Sequence, residues 1–218
     1  FWLTVVFAFV SSILINVLAF FIALALTKGY RGTNAFRTVF FMPNLIGGIV
    51  LGYIWKTLLD CFLSLIGQPL LALNETWGFV GLVILMCWQQ IGYMMIIYIA
   101  GLQAIDTAYL EAAMIDGATK LQTLFRVKIP NVMSSITICL FLTLTNGFKL
   151  FDQNLALTGG EPAHKSEMLA LNIYDTFYAR SGKQWKGYGQ AKAVIFCILV
   201  IVISLIQLRA TKSKEVQA

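Results

Sequence analysis

The sequence predicts an all-α fold, a polytopic transmembrane helix bundle, and three observations carry that prediction. Hydrophobic residues make up 59% of the chain and charged residues only 12%, with a mean hydropathy of +0.79, far from the mixture of a water-soluble domain. The charges are spaced so that they leave uncharged runs at Phe1–Thr27, Thr38–Trp55, Thr76–Ile105, Ile129–Phe148 and Ala193–Leu208. Basic residues gather beside alternate run ends, the pattern that sets the orientation of membrane helices.

Crossing ~30 Å of hydrocarbon at about 1.5 Å per helical residue takes ~20 residues, or ~17 at the short end. The first four runs meet that length. The fifth becomes a span when Ala191 and Gln207 extend it and Lys192 and Arg209 reach their head groups to the interface. Between the second and third spans, Cys61 to Asn74 is too short to cross and carries Gly67, Gln68 and Pro69, so it reads as a re-entrant or surface loop. No repeat, low-complexity tract or charge cluster divides residues 1–218, which read as a single transmembrane domain. The chain starts at Phe1 with no basic residues ahead of its first apolar run, unlike a signal peptide, and the expectation is that sequence upstream is missing. Cys61, Cys87, Cys139 and Cys197 have neither metal nor disulfide spacing and read as buried apolar filler.

Nine of the sixteen basic residues, Lys28, Arg31, Arg37, Lys120, Arg126, Lys128, Arg209, Lys212 and Lys214, fall at one side of a five-span arrangement. That side is then cytoplasmic, with the N-terminus outside and the C-terminus inside. The long loop from Asp152 to Gln190 lies opposite. The net charge of +6 follows from topology and the anionic inner leaflet, with no need for a nucleic acid.

The hydrophilic segment 106–130 between the third and fourth spans carries its own local instructions. Asp106 or Thr107 can cap a short helix, and Glu111 lies near enough to its start to favour the dipole. Gly117 follows Asp116 where a left-handed residue would end that helix. Thr119 and Gln122 have capping-box spacing for a second helix, in which Leu121, Leu124 and Phe125 share a face until Pro130 forces a kink or restart. The segment reads as helix, glycine hinge, helix. An ordinary inter-span loop packed on its own bundle fits these local signals equally.

The sequence Glu111-Ala112-Ala113, two residues, Asp116-Gly117-Ala118, then Phe125, Val127, Ile129 and Pro130 resembles the EAA loop of the membrane-spanning permease subunits of binding-protein-dependent ABC importers. Val127 and Ile129 stand where isoleucine and leucine are usual, both conservative changes. The resemblance implies that Glu111, Ala112, Ala113, Asp116, Gly117, Ala118, Phe125 and Pro130 form a coupling helix docked on a cytoplasmic ATPase dimer. ATP and Mg would then sit on that partner, with no cofactor or metal in this chain.

Other stretches resemble the carbohydrate-uptake branch, the maltose, lactose and glycerol-phosphate permeases. Phe40-Phe41-Met42-Pro43 with Gly48 to Trp55 is similar to their third span. Phe148 to Asp152 with Leu157 to Pro162 is similar to their outward loop, and Gly187 to Ala191 to the entry of their final helix. The resemblance implies an ABC importer permease fold lacking its upstream first span. It also implies a heterodimer with a second homologous permease, an extracytoplasmic sugar-binding protein, and a bacterial or archaeal cytoplasmic membrane as the location. The solute is a sugar on this reading, with glycerol 3-phosphate or its diesters as the alternative.

Polar side chains inside apolar spans are costly in lipid and tend to face a cavity or another helix. Gln89, Gln90 and Tyr93 precede the hydrophilic segment, and Thr143, Thr145 and Asn146 follow it. Amides, hydroxyls and aromatic rings suit sugar hydroxyls and ring faces. Alignment with the maltose-type relatives on Glu111 and Pro130 implies sugar-pathway positions at Tyr93, Thr143, Asn146, Gln90 and Gly147, the last two with different side chains. Interhelical hydrogen bonding is the competing explanation.

Gly48 and Gly52 read as a close helix approach, with a subunit-dimer contact as the other possibility. Lys149 and Asp152 read as a local ion pair, or as a contact to the binding protein. His164 reads as a surface histidine beside Glu161 and Glu167. Trp77, Tyr174, Phe177, Tyr178, Trp185 and Tyr188 read as an outer aromatic belt. A secondary transporter would want intramembrane charges or an inverted repeat, and an intramembrane enzyme a nucleophile–base or metal set; the spans offer neither.

Overall fold

A computed structural model describes residues 1–28, 32–180 and 182–212; Arg31 and Lys214 of the basic set lie outside the described residues. The described chain is helical. Its core is α1 (Trp2–Leu26) packed between α4 (Glu75–Gln103) and α8 (Met133–Phe148). All three are apolar nearly all round, as helices in lipid must be. Phe7, Ile15, Ala19 and Ala23 of α1 are buried against Leu82, Met86, Met94 and Tyr98 of α4. Small residues let these helices approach closely: a Cβ on Gly147 would lie 2.9 Å from the Cα of Ala8. The ring of Phe20 meets that of Tyr98 edge-on at 5.4 Å.

The second apolar run departs from the expected straight span. A helix α2 (Thr33–Phe41) stops at a 3₁₀ turn, Met42–Leu45, and α3 starts afresh at Gly48, running to Leu65. Pro43 has no N–H to continue α2 and is accommodated at the start of the 3₁₀ turn. The membrane-crossing helix is therefore Gly48–Leu65, displaced from Thr38–Trp55, and it carries Lys56 and Asp60. Asp60 is satisfied by the chain beyond: its carboxylate accepts the Leu71 N–H at 2.9 Å. Cys61 to Leu65 is thus helix, and the stretch after it turns at Gly67 (φ 69°) and includes a 3₁₀ turn at Leu71–Leu73.

α4 starts at an Asn74 cap, whose Oδ1 accepts the Thr76 N–H at 2.9 Å. The hydrophilic segment holds α5 (Thr107–Ile115) and α6 (Lys120–Thr123), a π-helical stretch Leu124–Lys128, and α7 (Ile129–Asn131). The run Lys120–Asn131 meets α8 at a 70° bend. Beyond α8, the long loop is largely helical: α9 (Asp152–Leu157), α10 (Leu169–Tyr178) and the first turns of α11 (Lys183–Lys212). α9 packs on α3 where glycine demands it, because a Cβ on Gly52 would lie 2.6 Å from that of Ala156. The Gly48/Gly52 pair is a close approach within the chain.

Two pairings differ from expectation. Lys192 turns inward, donating to Asn172 Oδ1 at 2.8 Å and Thr176 Oγ1 at 2.9 Å, which ties α11 to α10 in place of reaching the interface. Cys87 and Cys139 are buried as expected, but Cys61 and Cys197 are exposed, because α3 and α11 turn those faces away from the core. Trp2, Glu75 and Lys165 come together at one end of the bundle, with Lys165 Nζ 3.1 Å from the Glu75 carboxylate. Lys28, Lys120 and Lys128 come together at the other.

Candidate functional site

Two places on the structure gather the residues singled out above. The first is the hydrophilic segment at the basic end. Asp106 Oδ1 accepts the Ala108 N–H at 3.0 Å and starts α5. At the other end of α5, Gly117 takes φ 72°, its N–H donates to Met114 O at 3.1 Å, and the Ala118 N–H donates to Ala113 O at 2.9 Å. Those two bonds form a Schellman stop, which requires the left-handed residue. Thr119 and Gln122 then make both bonds of the capping box: Gln122 Oε1 accepts the Thr119 N–H at 2.7 Å, and Thr119 Oγ1 the Gln122 N–H at 3.3 Å. The turn between α5 and α6 is therefore fully specified by local hydrogen bonds.

This segment presents apolar surface outward. Ala113 is buried, while Glu111, Ala112, Asp116 and Gly117 are exposed and Ala118 and Pro130 are half-buried. Around them stand Tyr109, Met114, Leu121, Ile115 (86% exposed) and Phe125 (63%). Bare apolar side chains gathered beside charged and polar ones are the chemistry of a protein or membrane contact. At Pro130 the π-helical stretch takes up the missing donor, with the Ile129 N–H reaching Leu124 O, and the chain bends into α8.

The second place is a cavity of about 270 Å³ near the opposite end, lined by Met86 and Gln90 of α4, Asn146 of α8, and Lys149, Leu150 and Gln153. Asn146 Nδ2 donates to Gln90 Oε1 at 3.3 Å. Gln153 Nε2 donates to Gln89 Oε1 at 2.7 Å, and Gln89 Nε2 to the Ile46 carbonyl at 3.3 Å, so Gln89 anchors α9 and the 3₁₀ region to α4. The cavity offers amide donors and acceptors and one cation. That is hydrogen-bonding chemistry for a hydroxylated solute, with no nucleophile–base pair on its walls.

Of the five candidate pathway residues, Gln90 and Asn146 are brought together. Tyr93 is half-buried one helical turn further along α4, its ring tilted against Phe41 at 6.4 Å between centroids. Thr143 is wholly buried and bonded to α1: Ser12 Oγ lies 2.8 Å from its Oγ1, and Asn16 Nδ2 donates to the same oxygen at 2.8 Å. Asn16 Oδ1 in turn accepts the Tyr98 hydroxyl at 2.6 Å, which closes a network across α1, α4 and α8. Gly147 is buried against Ala8.

Lys149 and Gln153 are additions that sequence reasoning missed. The expected Lys149–Asp152 ion pair does not form among the described residues; Lys149 faces the cavity, and Asp152 lies against Gly48. Gln153 carried no span signal, because it sits in the first turn of α9 beyond the apolar run. Elsewhere, ligand-capable atoms of His164, Glu167 and Asp175 lie within 4.8 Å of one another. His164 Nδ1 lies 3.0 Å from the Glu167 carboxylate, which also accepts from Asn172 Nδ2 at 3.2 Å, so contacts within the chain engage these groups.

Residues 15–213 match the family described as binding-protein-dependent transport system inner membrane component. The chain belongs to that family. It is a multi-pass inner-membrane permease subunit, a non-catalytic part of an ABC transporter. The permease is similar to a probable starch degradation products transport system permease protein of Thermoanaerobacterium thermosulfurigenes, at 41% identity over all of this chain and 77% of that protein. A multiple sugar-binding transport system permease protein of Streptococcus mutans is 33% identical over 92% of the chain and 71% of that protein. The fold matches a bacterial alginate ABC transporter in complex with an alginate pentasaccharide-bound periplasmic protein, with a TM-score of 0.79 at 20% identity over 95% of this permease and 75% of that chain.

Proposed function

We propose that this permease forms half of the translocation pathway of an ATP-driven sugar importer, with segment 106–130 as the coupling element. The observation that carries the proposal is connectivity. α4, which bears Gln90 and Tyr93, runs directly into one side of the segment, and α8, which bears Asn146, runs directly out of the other. Displacing the segment therefore moves both walls of the amide-lined cavity. At about 1.5 Å per residue, Asn146 lies ~20 Å along α8 from its start at Met133 and Tyr93 ~15 Å along α4 from Gln103, so small rotations at the base become wall movements at the cavity.

The basic end, with Lys28, Arg37, Lys120, Arg126, Lys128, Arg209 and Lys212, faces the cytoplasm under the positive-inside rule. There the exposed patch of Tyr109, Ile115 and Phe125 meets a cytoplasmic ATPase dimer, with Glu111, Ala112, Asp116 and Gly117 at the contact. ATP and Mg belong to that partner, and a second homologous permease completes the pathway. A soluble sugar-binding protein delivers the solute at the opposite end, where Trp185, Tyr188 and the Tyr174–Tyr178 pair cluster. Gln90, Asn146, Lys149 and Gln153 hydrogen-bond sugar hydroxyls as they pass, and Tyr93 continues the path toward the base. Thr143 and Gly147 hold the wall from behind.

The names of the relatives above favour starch-derived or mixed oligosaccharides. A second reading, glycerol 3-phosphate, is favoured by Lys149 in the cavity and by relatives such as the sn-glycerol-3-phosphate permease of Brucella abortus, 29% identical over 97% of this chain. The test is uptake by the assembled complex in vesicles. Replacing Tyr93 and Asn146 together by alanine should lower malto-oligosaccharide uptake while ATPase assembly persists. Unchanged uptake across a sugar panel would remove both residues from the pathway, and glycerol 3-phosphate uptake without sugar uptake would select the second reading.

A further inference from the structure

A cavity of about 730 Å³ opens at the basic end between the foot of α1 and the α5–α6 segment. Its walls are mostly apolar, with Phe21 and Leu24 of α1 facing Leu124 of the π-helical stretch. Its cations are Lys28, just past the end of α1, Lys120 at the start of α6, and Lys128 before Pro130. No carboxylate is among its lining residues, and none of the three lysines has an ion-pair partner among the described residues. Three uncompensated ammonium groups around one apolar cleft is an arrangement that calls for an anion with an apolar body.

We infer that this cavity holds one anionic phospholipid of the adjacent leaflet, its phosphate among Lys28, Lys120 and Lys128 and its acyl chains along Phe21, Leu24 and Leu124. The position fits, since α1 leaves the membrane at its Lys28 end, which puts that lysine near headgroup depth and Phe21 and Leu24 at acyl depth. The patch assigned to the ATPase adjoins this cavity: Met114, Ala118 and Leu121 lie along its rim, whereas Tyr109, Ile115 and Phe125 do not line it. The lipid would join α1 to the segment that bends into α8, so lipid composition would tune how freely that segment moves. This last consequence rests on the coupling reading, whereas lipid binding itself does not.

The experiment separates the two. The full complex is purified in mild detergent, stripped of lipid, and titrated with phosphatidylglycerol or phosphatidylcholine while bound lipid is counted by native mass spectrometry. Phosphatidylglycerol should bind preferentially, and its affinity should fall about fivefold for each of Lys28→Gln, Lys120→Gln and Lys128→Gln. Arg209→Gln with Lys212→Gln, at the same end but outside the cavity, should leave it unchanged. Equal retention of the two lipids, or wild-type phosphatidylglycerol binding by the triple variant, would overturn the inference. So would displacement by inorganic phosphate alone, which would mean an anion site without lipid, or efficient cross-linking of Leu24→Cys, on the α1 wall of the cavity, to the ATPase chain, which would give the cavity to protein. Vesicle uptake read in parallel reports on coupling: binding without a transport effect retains the lipid site and discards only the tuning.

Discussion

Substituting Gly117 isolates one physical variable, the backbone angle at the stop of α5. A Cβ at this position would meet nothing within 4 Å, so alanine introduces no clash and its whole cost is the left-handed conformation at φ 72°. For an L-residue that cost is about 1–2 kcal/mol, and asparagine incurs less of it. Proline is worse in two ways. Its ring fixes φ near −65°, and it removes the donor of the Gly117 N–H bond to Met114 O, about 0.5–1.5 kcal/mol more. The local equilibrium between the formed and unformed α5–α6 turn should shift by a factor of about 5–30 for alanine, since that is what 1–2 kcal/mol amounts to, and further for proline.

If the turn transmits ATPase motion into α4 and α8, uptake per ATP hydrolysed should fall in the order glycine, asparagine, alanine, proline. The bundle is untouched, so membrane insertion and the thermal midpoint of the spans should not follow that order. The assay is the ratio of labelled sugar uptake to phosphate release in vesicles holding the assembled complex. Wild-type coupling in Gly117→Pro would refute the assignment of this turn as the transmitting element. A flat series with uniformly lost assembly would refute the argument that φ alone sets the cost.

Two further predictions probe the bundle. Gly92→Ala would place a Cβ 1.8 Å from the Phe40 carbonyl oxygen, so α2 must move, at a cost of about 1–3 kcal/mol or more. A clear drop in melting temperature in detergent is expected, while Gly187→Ala, with open space around it, should show none. A double-mutant cycle of Asn16→Ala with Tyr98→Phe should yield a coupling of about 0.6–1.7 kcal/mol, the range for buried hydrogen bonds between membrane helices. A value near zero would mean that the network adds no stability.

What the sequence reveals here depends on the range of the interactions involved. The Asp106 cap, the Gly117 stop and the Thr119–Gln122 box are set within four residues of chain, so their signals lie next to one another in the sequence. The break at Pro43 was written there too. Yet charge-counting favoured Thr38–Trp55 as the span, because nothing local says that Asp60 is satisfied by the backbone of Leu71, eleven residues on. Gly92, Lys149 and Gln153 share that illegibility. Each owes its importance to a neighbour on another element: the Phe40 carbonyl, or the cavity of Gln90 and Asn146. Thr143 makes the point from the other direction. By composition a threonine in a span facing a proposed pathway suits a sugar as well as Asn146 does. Only packing separates them, turning Thr143 toward Ser12 and Asn16 of α1 and leaving Asn146 with Gln90 at the cavity. Polar residues in a membrane span therefore advertise that a partner exists. Whether the partner is solute or helix is decided by which face of α8 they occupy, and one residue's advance along that helix turns the face by about 100°.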